Sequence, residues 1–400
     1  MSIGIVGLGS MGKNLAINIS KKHTVTVYNR SPDKLRDLKD SHPSIKGTHN
    51  LNSFVSSMKQ PRTIITMLPH GQPSTDITNQ LSTILSTSDT IVDCANEHYD
   101  TSSKRALSCK NNNVNYLGVG MSGGANGALE GPAIMIGGDA NVYQKHKEFF
   151  ESFCNSSVYI DENPSHGHFV KMVHNGIEYS MLQAISDVFS YFDQDEVLMQ
   201  QFIDSLSYSP VYGFLINNAN TVLEKYNIQL INDTAHMNNT GLWCTQYSQL
   251  HNISTPTINA AVEYRIASKN KYFIQCHKHK GSPSVDYAFS LIHFVYAHAI
   301  LEGLSLIKHK GIDVCVAQKA WSTSTIIECP MIQFSELNLL NILNAHIDFS
   351  RKFLIESIHR NVSTPSISAA IQHYDFIRTD KTSMNFLMAQ RNLFGQHPFI

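Results

Sequence analysis

The 400-residue sequence is short of charge: Asp, Glu, Lys and Arg make up 16% of it, against about 25% in an average soluble domain. Asn, Ser and Thr take up the difference. The 31 basic and 32 acidic residues nearly cancel. No basic block is present to grip nucleic acid, and no acidic tail to keep a segment disordered. The seven cysteines (Cys94, Cys109, Cys154, Cys244, Cys276, Cys315 and Cys329) are odd in number and contain no Cys-x-x-Cys. Free thiols in a reducing cytoplasm fit that pattern better than a disulfide framework. No apolar run reads as long enough to span a membrane. The apolar start, Ser2 to Leu8, has no basic n-region and no cleavage site, so it reads as a first strand and not as a signal peptide. The histidines form no HExxH pair, and His277 and His279, in a Lys-His loop, read as surface residues, so no metal is expected.

The length allows two or three domains, and the apolar fraction of 42% is that of an ordinary globular chain. Ser2 to Gly7 reads as a short buried strand running into Gly7-Leu8-Gly9-Ser10-Met11-Gly12. An apolar stripe at helical spacing follows (Leu15, Ala16, Ile19), then a second strand, Thr24 to Tyr28. Strand, G-x-G-x-x-G turn, helix, strand is the context that a dinucleotide-binding unit requires. Gly7 makes the tight turn, Gly9 lets the backbone approach a pyrophosphate, and Gly12 lets helix and strand pack closely. An NAD-binding unit usually ends its second strand with a carboxylate for the ribose 2′-OH. Here Asn29-Arg30-Ser31 stands in that place. Nothing there repels a 2′-phosphate, Arg30 can pair with one and Ser31 can donate to it, so NADP is the expected cofactor.

Further strands are expected at Thr63–Leu68, Thr90–Cys94, Val114–Leu117 and Ala133–Ile136. This is a doubly wound α/β pattern, assigned to residues 1–162. Ligands bind beyond the carboxyl ends of such strands. Asn96 and the group Ser122-Gly123-Gly124 each follow a strand end, and the latter offers N–H donors suited to a carboxylate. From about residue 163 to 388 the pattern is helical. Ile253–Val262 reappears as Val362–Ile371, and in both a Thr-Pro pair reads as N-cap and first helical residue. Two copies of one helix start imply a duplicated helical domain. Within it, Lys171, His174, Asn175 and Glu178 share one helix stripe, opposite Val170, Met172, Val173 and Ile177. An acid, a base, an imidazole and an amide together suit a site that handles a hydroxyl and a carboxylate.

The segment Gly167-His-Phe-Val-Lys-Met-Val-His-Asn-Gly-Ile-Glu-Tyr179 closely resembles the signature of the decarboxylating 6-phosphogluconate dehydrogenases. Asn29–Ser31, Asp93–Asn96, Ser122–Gly124, Gly131-Pro132, Thr240-Gly241, Arg265 and Ala389–His397 extend the resemblance over nearly the whole chain. The resemblance implies Lys171 as general base and Glu178 as general acid. It implies Asn96, Ser122, Gly123, Gly124, His174 and Asn175 around the sugar acid, and Tyr179, Thr240, Arg265, Arg391 and His397 around the phosphate. Gly7 to Gly12, Asn29, Arg30, Ser31, Leu68 and Asn96 would hold NADP. It also implies a homodimer in which residues 389–400 form a short tail that lends Arg391 and His397 to the partner's site. The sequence departs from the family where Asn238 and Leu242 replace lysines and Ala125-Asn126 replace acidic residues, and it is shorter than typical members. Two other readings remain open at this point. One is a related β-hydroxyacid dehydrogenase with a non-phosphorylated substrate, against which Arg265, Arg391 and His397 speak. The other is a catalytically weak NADP-binding protein of structural or regulatory role.

Overall fold

A computed structural model describes residues 2–271 and 281–398. Cys276, His277 and His279 lie outside these residues. The first half is one eight-stranded sheet: β1 (Ser2–Val6), β2 (Val25–Tyr28), β3 (Lys46–Thr48), β4 (Arg62–Thr66), β5 (Thr90–Asp93), β6 (Asn115–Ser122), β7 (Ala133–Gly138) and β8 (Ser156–Asp161). The strand order is β3-β2-β1-β4-β5-β6-β7-β8, parallel throughout except for the antiparallel β6–β7 pair. The helices between strands are α1 (Ser10–Ser20), α2 (Pro32–Ser41), α3 (Leu51–Ser56), α4 (Gln72–Ile84), α5 (Tyr99–Asn111), α6 (Gly124–Glu130) and α7 (Ala140–Phe153). Helices on both faces bury the central strands, which is why Ile3, Ile5, Val6, Ile64, Ile65, Ile91 and Val92 form near-continuous apolar runs.

The doubly wound domain is as expected, with two differences. β3 and β8 are additional strands. β3 is a three-residue edge strand without an apolar run, and β8 alternates, burying only Val158 and Ile160 deeply. β6 continues to Ser122 and does not stop at Leu117. Gly118 and Gly120 make its second half look like a turn in sequence. In the structure they are a floor for the helix that follows the sheet.

The helical half comprises α8 (His166–Tyr191), α9 (Glu196–Ser205), α10 (Phe214–Lys225), α11 (Thr240–Leu250), α12 (Pro256–Ala267), α13 (Val285–His309), α14 (Val314–Trp321), α15 (Glu336–His359), α16 (Pro365–Arg378) and α17 (Met384–Gly395). α13 corrects the expectation about apolar runs. By length and composition it could cross a membrane, yet it is the buried centre of the helical core, with Leu291, Ile292, Phe294, Val295 and Ile300 inaccessible. α17 has no buried residue, and Phe386, Leu393 and Phe394 on it are exposed. It also begins at Met384, so the expected boundary at residue 389 falls inside a helix.

The two repeats start α12 and α16, each with Pro in its first turn. The preceding threonines do not cap these helices. The one hydroxyl proton of Thr255 is instead shared between Ser248 Oγ at 2.8 Å and Asn259 Oδ1 at 3.1 Å. The free N–H groups go to carboxylates on the two long helices. Thr257 and Ile258 donate to Glu302 of α13 at 2.8 and 3.0 Å. Ser366 donates to Asp187 of α8 through its N–H at 2.9 Å and through its hydroxyl at 2.5 Å. Gln183 and His298, each four residues earlier, contact those carboxylates in turn. The helix that each repeat starts is thus capped by a long helix from the other half, α12 by α13 and α16 by α8, which locks the halves together. Asp187→Ala leaves two buried donors on α16 without an acceptor. It is expected to destabilise the protein by about 2–4 kcal/mol, read as a lowered urea midpoint, whereas Asp195→Ala at the exposed cap of α9 is expected to cost about 1 kcal/mol.

Candidate active site

The glycine turn has the shape that its residue types require. Gly7 has φ +100° and donates to the Tyr28 carbonyl at 2.9 Å. A Cβ on Gly12 would lie 2.0 Å from the Gly7 carbonyl oxygen, so only glycine lets α1 sit this close to β1. Gly9, just ahead of α1, faces open space. Leu8 donates its N–H to Asn29 Oδ1 at 2.9 Å, and Asn29 Nδ2 donates to the Ser31 carbonyl at 3.0 Å. Asn29 therefore closes the end of β2 onto the glycine turn. Arg30 stays exposed beside it and Ser31 is partly buried. Ser10 is exposed, Met11 packs against the sheet's core, and Leu68 lies after β4. Lys13 and Lys34, not singled out from the sequence, line a cleft with Leu8, Gly9, Ser10 and Asp37. An open glycine, two lysines against one carboxylate in that cleft, and no carboxylate at the end of β2 itself fit an anionic dinucleotide.

The second half of the site is built on α8, whose first turns lie directly on the sheet. A Cβ at Gly118 would be 1.9 Å from the Pro164 carbonyl oxygen, and one at Gly120 would be 2.4 Å from Lys171 Cβ. From the other side, a Cβ at Gly167 would be 2.2 Å from the Gly118 carbonyl oxygen. This contact buries Lys171 and His174. The expected stripe is therefore not a solvated face.

The polar groups on it form one directed chain. Ser122 Oγ accepts the Ile326 N–H at 3.3 Å and lies 3.1 Å from His174 Nε2. His174 Nδ1 lies 3.0 Å from Asn175 Oδ1, and Asn175 Nδ2 donates to Thr240 Oγ1 at 2.8 Å. With the amide nitrogen committed to Thr240, Nδ1 must donate to Oδ1, and Nε2 then accepts from Ser122. Lys171 Nζ lies 3.2 Å from that same Nδ1–H, an arrangement that favours a neutral amine. Burial and Lys171 hold the imidazole well below its ordinary pKa. Burial pushes the Lys171 amine down to about 8, although Glu178 opposes the shift. Glu178, 3.7 Å from His174 Nδ1, has its carboxyl raised by burial against the pull of Lys171 and Arg265. A weak base and a weak acid, two helical turns apart on one face, are the pair that proton transfer at neutral pH needs.

Tyr179 extends the stripe. Arg265 of α12 stacks over its ring at 3.6 Å and donates to the His236 carbonyl at 3.0 Å. Gly241 leaves room for the Tyr179 ring, which a Cβ would meet at 2.4 Å. Asn238 donates its N–H to Tyr179 Oη at 3.3 Å and so borders this corner. Gly123 and Gly124 follow Ser122 with φ of +111° and +63°, and Gly124 faces open space. Asn96 is partly buried in the loop after β5. Arg391 and His397 are not part of this cluster. Both are exposed at the end of α17. Residues that sequence reasoning passed over include Ile326, which anchors Ser122, and Trp243 of α11, whose ring meets those of His70 and His98 edge-on at 5.2 and 5.4 Å. Gly118 and Gly120 did carry a signal: glycines inside a strand mark a close backbone approach.

A family model described as the NAD binding domain of 6-phosphogluconate dehydrogenase matches residues 2–161, and one described as the 6-phosphogluconate dehydrogenase C-terminal domain matches residues 167–284 and 328–400. The chain belongs to the 6-phosphogluconate dehydrogenase family. The NAD(+)-dependent decarboxylating 6-phosphogluconate dehydrogenase of Bacillus subtilis is 29% identical over 100% of this chain and 96% of its own length. The decarboxylating 6-phosphogluconate dehydrogenase 1 of Oryza sativa is 28% identical over 99% of this chain and 94% of its own. The 6-phosphogluconate dehydrogenase of Plasmodium falciparum, solved apo, with NADP+ and with 6-phosphogluconate, shares the fold. Its TM-score is 0.88 at 24% identity, covering 100% of this chain and 97% of that one.

In this family member the buried lysine carries a stability cost. The unfolded chain binds the Lys171 proton more tightly than the folded one. The destabilisation is therefore full below about pH 8 and fades as pH rises from about 8 towards the ordinary value of 10.5. It amounts to about 3 kcal/mol at neutral pH, at 1.36 kcal/mol per pKa unit. Lys171→Met, which keeps the volume, is expected to raise the thermal midpoint at pH 7, to narrow that gain by pH 10, and to abolish turnover.

Proposed function

We propose that the chain converts 6-phosphogluconate to ribulose 5-phosphate and CO2, with NADP as the hydride acceptor, and that it works as a homodimer. The observation that carries this reading is the buried Lys171 amine, held low in pKa beside the Ser122–His174–Asn175–Thr240 chain and two turns from Glu178.

The nicotinamide supplies the hydride acceptor for C3. Lys171 Nζ takes the proton of the C3 hydroxyl. The product is a β-keto acid, and the new ammonium, beside the keto oxygen, stabilises the charge that grows there as the C1 carboxyl leaves as CO2. Glu178, kept protonated more readily than a free carboxyl, gives a proton to the enediol carbon that carried the carboxyl, C2 of the sugar acid and C1 of ribulose 5-phosphate. Ser122, Gly123, Gly124, His174, Asn175 and Asn96 orient the sugar acid, and Tyr179, Thr240 and Arg265 take the phosphate. Arg391 and His397 complete the phosphate site of the other subunit, a role supported by the exposed Phe386, Leu393 and Phe394 of α17, which offer a dimer contact. NADP in preference to NAD is supported by the free Arg30 and by the absence of a carboxylate at the end of β2.

Steady-state kinetics with 6-phosphogluconate and either cofactor test the reading. NADPH formation is expected, with kcat/KM rising through about pH 8 as Lys171 loses its proton. Arg30→Asp is expected to shift preference towards NAD by roughly 10- to 100-fold, the worth of one charge-assisted bond. Asn238→Lys is expected to lower the KM for 6-phosphogluconate roughly tenfold and leave kcat nearly unchanged. Gluconate turned over as well as its phosphate ester would overturn the substrate assignment.

A further inference from the structure

Beneath the loop that carries Asn96 lies a buried ion cluster that the chemistry above does not use. Arg105 of α5 has a fully buried side chain. Its Nη1 donates to Asp93 Oδ2 at 2.7 Å and its Nη2 to Glu97 Oε2 at 2.5 Å. Asp93 ends β5 and Glu97 follows Asn96, so one guanidinium holds both flanks of that asparagine. The same Nη2 donates to the Gly71 carbonyl at 2.9 Å, and Nε donates to Thr75 Oγ1 at 3.1 Å. Glu97 Oε2 accepts the Gly71 N–H at 2.7 Å. The Arg105–Glu97 pair thus grips both backbone groups of Gly71, a residue with φ +84° in the loop that follows Leu68. Asp93 Oδ1 accepts from Thr66 Oγ1 and the Ala95 N–H, and Tyr116 Oη donates to Oδ2. On the same helix as Arg105, Ser102 Oγ lies 2.6 Å from His168 Nδ1, one turn before Lys171 on α8.

Three buried charges are a poor device for stability, because well-packed apolar residues would serve as well or better. What the fork does supply is geometry. It ties the loop after β4 and the Asn96 loop to one helix, which Ser102 in turn joins to α8, at the carboxyl ends of the strands where ligands bind. We propose that Arg105 is a positioning residue: with Asp93 and Glu97 it sets the spacing between the Asn96 loop and the loop after β4, and so between C3 of the sugar acid and its hydride acceptor. The hydride part rests on the function proposed above; the clamp itself does not.

The test uses the full-length protein with Arg105→Lys, which keeps the charge and loses the fork, and Glu97→Gln, which keeps an acceptor and loses the charge. Amide hydrogen exchange is expected to rise in residues 68–71 and 94–98 together, with the rest of the sheet unchanged. NADP affinity, measured by titration, is expected to stay within about threefold. With 6-phosphogluconate, kcat is expected to fall on the order of 10²-fold, KM to stay nearly constant, and the isotope effect with C3-deuterated substrate to grow as hydride transfer becomes limiting. Unchanged exchange in the two loops would overturn the clamp, as would a kcat loss that only tracks the fraction unfolded. A wild-type protein inactive on 6-phosphogluconate would overturn the substrate assignment, and the exchange measurement would still decide the clamp.

Discussion

The site depends on backbone meeting backbone where α8 crosses β6 and β7. Gly118, Gly120, Gly137 and Gly167 leave no side chain between helix and sheet, so the first turns of α8 rest on the strands themselves. Everything chemically active follows from that approach. It brings Ser122, at the end of β6, within reach of His174, buries Lys171, and makes the helical half supply the opposite wall of a cleft whose first wall is the sheet. A single methyl group at Gly120 would push on Lys171 itself, so the residue that sets the distance between the halves also sets the environment of the base.

Burying an amine is unfavourable, and the rest of the helical half offsets the cost. Val170, Met172, Val173 and Ile177 on the far side of α8 join a core that runs through α13, α15 and α16. The crossed caps make that core cooperative, since Asp187 on α8 holds α16 and Glu302 on α13 holds α12. α12 carries Arg265 and α8 carries Tyr179, so the caps that tie the repeats together also hold the stacked pair at the phosphate corner. Stability and site geometry come from the same few carboxylates.

Much of this was legible from residues. The G-x-G-x-x-G turn between two strands, the mixed stripe on α8 and the repeated Thr-Pro starts are local patterns, and local patterns survive in sequence. What could not be read was long-range. The Thr-Pro pairs marked helix starts correctly but misled about capping, because the acceptors are carboxylates 45 and 179 residues away in sequence. β6 was cut short because Gly118 and Gly120 resemble a turn until the helix above them is known. α13 was passed over as a long apolar run because His293, His298 and Glu302 interrupt it. In the structure these polar residues are buried and bonded inside the helical core. Asp93 and Glu97 lie only 12 and 8 residues before Arg105, but the other groups that its guanidinium holds, Gly71 and Thr75, come from a separate loop, so the cluster is not legible as a unit in sequence.

The division of labour across the site explains where this chain has diverged. Lys171, His174, Asn175 and Glu178 sit on one rigid helix, and each is fixed by its neighbours, so replacing any one disturbs the others. The residues proposed to take the phosphate are spread over α8, α11 and α12, with Arg391 and His397 proposed to come from the other subunit, and in that reading they touch a part of the substrate remote from the reacting carbon. Binding energy at such a remote group is divisible. Losing one cation there weakens binding without moving the base relative to C3, whereas losing one member of the helix stripe changes the chemistry. Asn238 and Leu242 both border Tyr179, at the corner proposed to take the phosphate. Arg265, already oriented by the Tyr179 ring and the His236 carbonyl, keeps a fixed cation there and needs little further ordering to bind. The site can therefore lose charge at its rim while the low-pKa amine at its centre stays where the glycine floor puts it.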